Sequence, residues 1–155
     1  MEVISTLRQQ GRQVVTVQAA DTVPEPVACH ADLQLLHLGG SKLLLAAEAT
    51  GLQPQLKEFG FSTSILEHHL GNIYPNDISL NFLMQKNYCF GMCSNMPLQL
   101  KNHCVYAGLQ PVAVKQGYAR CSVAVVSANA AITADTGLYN AMTAIGIDVL
   151  LIGAG

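Results

Sequence analysis

Three times along the chain an apolar run of strand length meets a short polar or glycine-rich break and returns as a second apolar run. The first is His30-Ala31-Asp32-Leu33-Gln34-Leu35-Leu36-His37-Leu38, which turns at Gly39-Gly40-Ser41 and returns as Lys42-Leu43-Leu44-Leu45-Ala46. The second runs over residues 77–84, turns at Gln85-Lys86-Asn87 and returns as Tyr88-Cys89-Phe90-Gly91-Met92. The third opens at Cys121-Ser122-Val123-Ala124-Val125-Val126, turns at Ser127-Ala128-Asn129 and returns as Ala130-Ala131-Ile132-Thr133. Each reads as a β-hairpin, and in the first the glycines supply the positive φ of a tight turn. The polar residues at the three mouths, Asp32, Asp77 and Cys121, fall 45 and 44 residues apart. The pattern therefore predicts that they hold one structural position in three hairpins.

A helical signature repeats between the hairpins. Val3, Leu7 and Gly11 share a spacing with Leu52, Leu56 and Gly60, with Leu100, Cys104 and Gly108, and with Leu138, Met142 and Gly146. Apolar residues four apart lie on one helix face, and a glycine just past the last turn is the left-handed C-terminal cap. Four helices are predicted to end alike. Three are followed by extended apolar runs, Val14-Val15-Thr16-Val17, Pro111-Val112-Ala113-Val114 and Asp148-Val149-Leu150-Leu151-Ile152. The predicted unit is helix, strand, loop and hairpin. Units of this size bury their apolar faces only by packing on one another.

In chain order, the first helix is expected over residues 2–10, and the two prolines of Ala20-Asp21-Thr22-Val23-Pro24-Glu25-Pro26 predict a loop. Pro54 confines the second helix to a short one, and residues 61–69 predict a strand and a turn. Ser94-Asn95-Met96-Pro97 opens a third helix that runs to Ala107, and Asp135-Thr136 caps the fourth.

The chain has 155 residues, the size of one domain, and only 12% of them are charged, against roughly 25% in a typical soluble domain. So little charge predicts a homo-oligomer or an incomplete domain. The formal net charge of -2, with lysines and arginines scattered, argues against nucleic acid or an anionic membrane as partner. No signal peptide or membrane-spanning run is legible, so a cytoplasmic protein is expected, with its five cysteines reduced. No cofactor is expected.

Modules arranged around an axis would bring His30, Asp32, Asp77, Arg120 and Cys121 together. Carboxylates beside a histidine and a thiol suit a small cationic molecule. Asn76 and Asp77 are candidate substrate contacts, although an Asn-Asp pair equally fits a turn cap. Cys121 equally fits a small core residue, and the His30–Asp32 pair a hydrogen-bonded tie in a loop.

His30-Ala31-Asp32 at the mouth of a strand, within the repeated unit, resembles the His-x-Asp motif of the pentein enzymes that modify guanidino groups. Tyr74-Pro75-Asn76-Asp77-Ile78-Ser79-Leu80-Asn81 and Val114-Lys115-Gln116-Gly117-Tyr118-Ala119-Arg120-Cys121-Ser122 resemble, more specifically, an uncharacterised bacterial family assigned to that fold. The resemblance covers nearly all of the chain. It implies an α/β fold in which residues 1–155 form a single, partial domain, about three of the five modules of a β/α propeller around a central pocket. It also implies His30 as the proton-transfer group and Asp32 as the guanidinium anchor. The enzymes' nucleophilic cysteine belongs to a module beyond this sequence, and its role does not transfer to Cys121. The expected function is binding of a guanidino or amidine compound in an acidic pocket without catalysis. The alternative is a cysteine-dependent hydrolase or amidinotransferase using His30 and Asp32 with a nucleophile further along.

Other constellations carry less. Cys89, Cys93, His103, Cys104, His68 and His69 lack the paired spacing of a structural zinc site and read as buried thiols and separate imidazoles. Leu150-Leu151-Ile152-Gly153-Ala154-Gly155 lacks the third glycine and the helix of a dinucleotide fingerprint. Ser122 and Ser127 lie in no nucleophile elbow.

Overall fold

Each hairpin forms where alternation and turn residues place it, and each then recruits one further strand. In the computed structural model, which describes residues 2–153, β1 (Leu35–Gly39) pairs antiparallel with β2 (Lys42–Leu45), Leu36 facing Leu44 and His37 facing Leu43. Gly39 and Gly40 take φ of 99° and 55° at the turn, a region that costs a residue with a Cβ about 1 kcal/mol or more. β4 (Leu83–Gln85) with β5 (Tyr88–Gly91), and β7 (Val123–Ser127) with β8 (Ala130–Thr133), repeat the arrangement.

The returning strand of every hairpin pairs in parallel with a third strand: β3 (Ser62–Ile65), β6 (Gln110–Ala113) or β9 (Asp148–Leu151). A parallel neighbour requires a crossover, and a helix supplies it each time. These helices are α3 (Gln53–Glu58), α4 (Leu98–Ala107) and α5 (Thr136–Thr143). The chain is thus mixed α/β, with three separate three-stranded sheets and five helices among the described residues, the other two being α1 (Glu2–Gln9) and α2 (Ala31–Gln34). The sheets do not join into a closed barrel.

Gly11, Gly60, Gly108 and Gly146 all have φ between 67° and 83°, as C-terminal caps require. Pro54 stands in the first turn of α3, and the Asp135 carboxylate accepts a hydrogen bond from the Leu138 amide at the start of α5. Three expectations came out differently. Asp32, Asp77 and Cys121 do not share one structural position, since they precede β1, β4 and β7 by three, six and two residues. Residues 14–17 form no strand and pair with none of the three sheets among the described residues, and Val15 and Val17 instead lean on the first core. The mouth of the first hairpin is no strand either, because residues 31–34 close the helical turn α2 before β1 begins.

The core has two parts. One gathers Leu36, Leu44, Leu52 and Leu56 with Leu100 and Cys104 of α4; the other gathers Phe90 and Ala131 with Leu138 and Met142 of α5. The middle sheet serves both because neighbouring residues point to opposite faces: Phe82 and Cys89 enter the first cluster, Leu83 and Phe90 the second. Gly91 sits against the Phe82 ring so closely that a Cβ there would lie 2.3 Å from it. No helix among the described residues is long and apolar enough to cross a membrane.

Candidate functional site

Three chain segments that lead into the hairpins meet at one carboxylate. The first is α2, whose single turn carries Asp32 in its first residues. Gln34, in the same turn and buried, donates to the carbonyls of Gln18 and Ala28 at 2.6 and 2.7 Å, tying the turn to the proline-containing loop before it. The second is the approach to β4, where the Asn81 amide donates to the Ile78 carbonyl and presents its side chain. The third is the approach to β7, where Ser122 closes on the Tyr118 carbonyl through both its amide and its hydroxyl, next to Cys121, whose thiol lies beside Asp32.

The Asp32 Oδ2 atom accepts a hydrogen bond from Asn81 Nδ2 at 2.6 Å and another from the Cys121 thiol. Asn81 Nδ2 also donates to Cys121 Sγ at 3.0 Å, while its Oδ1 accepts from the Arg120 amide at 2.9 Å. That last bond sets the orientation of the amide, since a flipped side chain would bring two donors face to face. Asn81 is completely buried, so its paired groups lock the three segments together. The Asp32 side chain is 26% exposed, and His30 Nδ1 stands 3.9 Å from its Oδ1.

Partial burial, and then the bond to the Asp32 carboxylate, push the Cys121 thiol up to about 11. A thiol with that affinity for its proton is a donor, and at neutral pH only ~1 in 10,000 such groups is the thiolate that could attack carbon. Beside Cys121 an open groove of about 530 Å³ runs over the third sheet, lined by Thr133, Asp135, Ala124, Ile132 and Ile152.

Asp77 and Asn76 stand apart from this junction, and Arg120 joins it only through its backbone amide. Asp77 is buried, with Oδ2 accepting the Tyr118 hydroxyl at 2.5 Å and Oδ1 without a hydrogen-bond partner among the described residues. Burial, then the bond to Asp77, raises the Tyr118 hydroxyl to about 12. Asn76 is exposed and its backbone closes turns with Gly71 and Ile73. The Arg120 guanidinium donates to the Leu35 carbonyl at 2.8 Å. Asn81 is the residue that sequence pattern passed over: it precedes its strand by two residues, as Cys121 does, but the alternation of residues 77–82 continues straight into the strand and does not mark its start. Among the described residues no group of three or more His, Cys, Asp or Glu side chains could hold a metal ion. His69 is instead 3.1 Å from Glu48, and Cys89 and Cys104 lie in the core. Ala154 and Gly155 of the Gly-x-Gly run lie outside the described residues.

The model of a family of unknown function, DUF6873, matches the sequence over residues 1–155. No curated protein and no solved structure matches it.

Proposed function

The chain belongs to the DUF6873 family, and because that family has no known function, we propose from the site alone that this is a binding protein for a small guanidino or amidine cation. The observation that carries the reading is the Asp32 carboxylate, partly exposed and fixed by Asn81 and Cys121 from two other chain segments. Its Oδ2 is occupied by protein donors, while Oδ1 is on the side of His30, where a planar cation with several N–H groups finds an acceptor. His30 then acts as a second polar wall. Turnover through Cys121 is disfavoured because its thiol holds its proton well above neutral pH. The pentein-like ring of modules is the architecture attached to this reading, and the like build of the three sheets supports it.

Titration calorimetry with agmatine, arginine and benzamidine tests the proposal. Wild-type protein is expected to bind one of them, and Asp32→Asn to weaken it at least tenfold while unfolding within a few degrees of wild type. Equal binding by Asp32→Asn would remove the carboxylate from the site. An absence of binding to all three would end the guanidino reading.

A further inference from the structure

A cavity of about 250 Å³ opens in the first unit, and Asp32 is not among the residues that line it. Its buried side is made by Gln34, Ala49, Leu52 and the Glu48 side chain, while Thr16 and Gln55 are exposed and form its rim. Glu48 stands in the short helical turn Ala47–Leu52, between β2 and α3, and its side chain is only 8% exposed.

The two oxygens of that carboxylate are treated differently. Oε1 accepts from the Thr22 hydroxyl at 2.6 Å and from the Leu70 amide at 2.9 Å, and His69 Nδ1 is 3.1 Å from it. Oε2 is buried and has no hydrogen-bond partner among the described residues. Burial acts to raise this carboxyl, but the bonds from Thr22, from the backbone amides of Glu48 and Leu70 and from His69 outweigh it and hold the group below its ordinary value. Glu48 is therefore ionised at neutral pH. A buried anionic oxygen without a donor is costly, and no Lys, Arg or His lines the cavity to supply one.

Gln34 adds a second acceptor. Its Nε2 donates to the Gln18 and Ala28 carbonyls at 2.6 and 2.7 Å, which fixes the orientation of the amide, since a flipped group would set oxygen against two carbonyls. What Gln34 has left to offer the cavity is its oxygen. Two acceptors, one of them charged, thus share the buried side with the apolar Ala49 and Leu52.

We propose that this cavity binds a small primary amine, whose ammonium group donates to Glu48 Oε2 and to the Gln34 oxygen while its short aliphatic stem lies against Ala49 and Leu52. An ammonium group carries three donors and no acceptor, as a wall of acceptors requires. A guanidinium grips a carboxylate through both oxygens, and Oε1 is already taken. An amino acid would bring a carboxylate of its own, for which the lining has no cation. The site differs from the Asp32 junction in place and in ligand, and it stands if the guanidino reading falls.

NMR titration of the backbone amides of the whole chain with n-butylamine at pH 7 tests the proposal, with butan-1-ol, methylguanidine and glycine as comparisons. The amine should shift Gln34 and residues 47–52 and bind at least tenfold more tightly than the other three. Glu48→Gln, which keeps the shape of the side chain and removes its charge, should weaken amine binding at least tenfold. Gln55→Glu, at the exposed rim, should strengthen it several-fold by adding a second carboxylate. That variant alters no buried group, so it decides the matter even where Glu48→Gln fails to fold. Absence of amine binding, or shifts confined to residues outside the cavity, would overturn the proposal. So would butan-1-ol or methylguanidine binding as tightly as the amine, a folded Glu48→Gln that binds like wild type, or a Gln55→Glu that binds no better.

Discussion

Asn81 and Cys121 differ in kind from the residues around them, since each holds Asp32 while its neighbours hold the backbone. Their bonds make the Cys121 thiol a probe of the site. The shift is upward, so the protonated thiol is favoured by the fold; its contribution to stability is complete below about pH 9 and is lost as pH rises toward 11. Reactivity follows the opposite course, rising with the thiolate fraction. In a Cys29→Ser background, which removes the other exposed thiol, alkylation of Cys121 by iodoacetamide should show its midpoint near pH 11. Asp32→Asn should move that midpoint down and raise the rate at pH 8 roughly tenfold for each pH unit moved. An unchanged profile would mean that the carboxylate does not govern the thiol. Of this junction, the sequence made His30, Asp32 and Cys121 visible as polar residues at hairpin mouths. Asn81 was hidden because it is one of three alternating polar residues, Asp77, Ser79 and Asn81, with nothing local to set it apart, and its role depends on bonds to residues 40 and more positions away.

At the scale of elements, caps and turns are local physics and were legible. Gly60, Gly108 and Gly146 end helices because only the chain immediately before them decides their φ. Asp135 belongs to the same class: its side chain satisfies one of the open amides at the start of α5. Asp135→Ala should lower stability by about 1 kcal/mol in urea unfolding, and Asp135→Asn, which still accepts that bond, should recover most of it. Equal losses in both would place the effect in the charge of Asp135, which also accepts a bond from Gln116. Residues 14–17 show the limit of local reading. They have the composition of a strand, but a strand exists only when another offers its edge, and that is not written in the residues themselves.

At the scale of the molecule, the middle sheet couples the two halves of the core. Phe82 and Phe90 point to opposite sides of it and neither side is spare. The described chain should therefore unfold as one unit despite its two clusters. Leu138→Ala, in the second cluster, should cost about 2–5 kcal/mol and protect the amides of both clusters less in hydrogen exchange. Loss of protection confined to β7, β8 and β9 would show that the third sheet opens independently.

By itself the sequence determined the three hairpins, the four helices that end in glycine and the proline-rich loop, because alternation, stripe spacing and turn residues act within about ten neighbouring positions. It also marked Asp32 as a carboxylate worth attention. Tertiary structure alone decided that Asn81 and Cys121, rather than Asp77, meet Asp32, and that residues 14–17 stay unpaired. It alone decided which apolar faces are covered and which are left open. These outcomes depend on how whole sheets and helices stack, and the free energy of stacking belongs to pairs of surfaces brought together by the fold rather than to any stretch of chain.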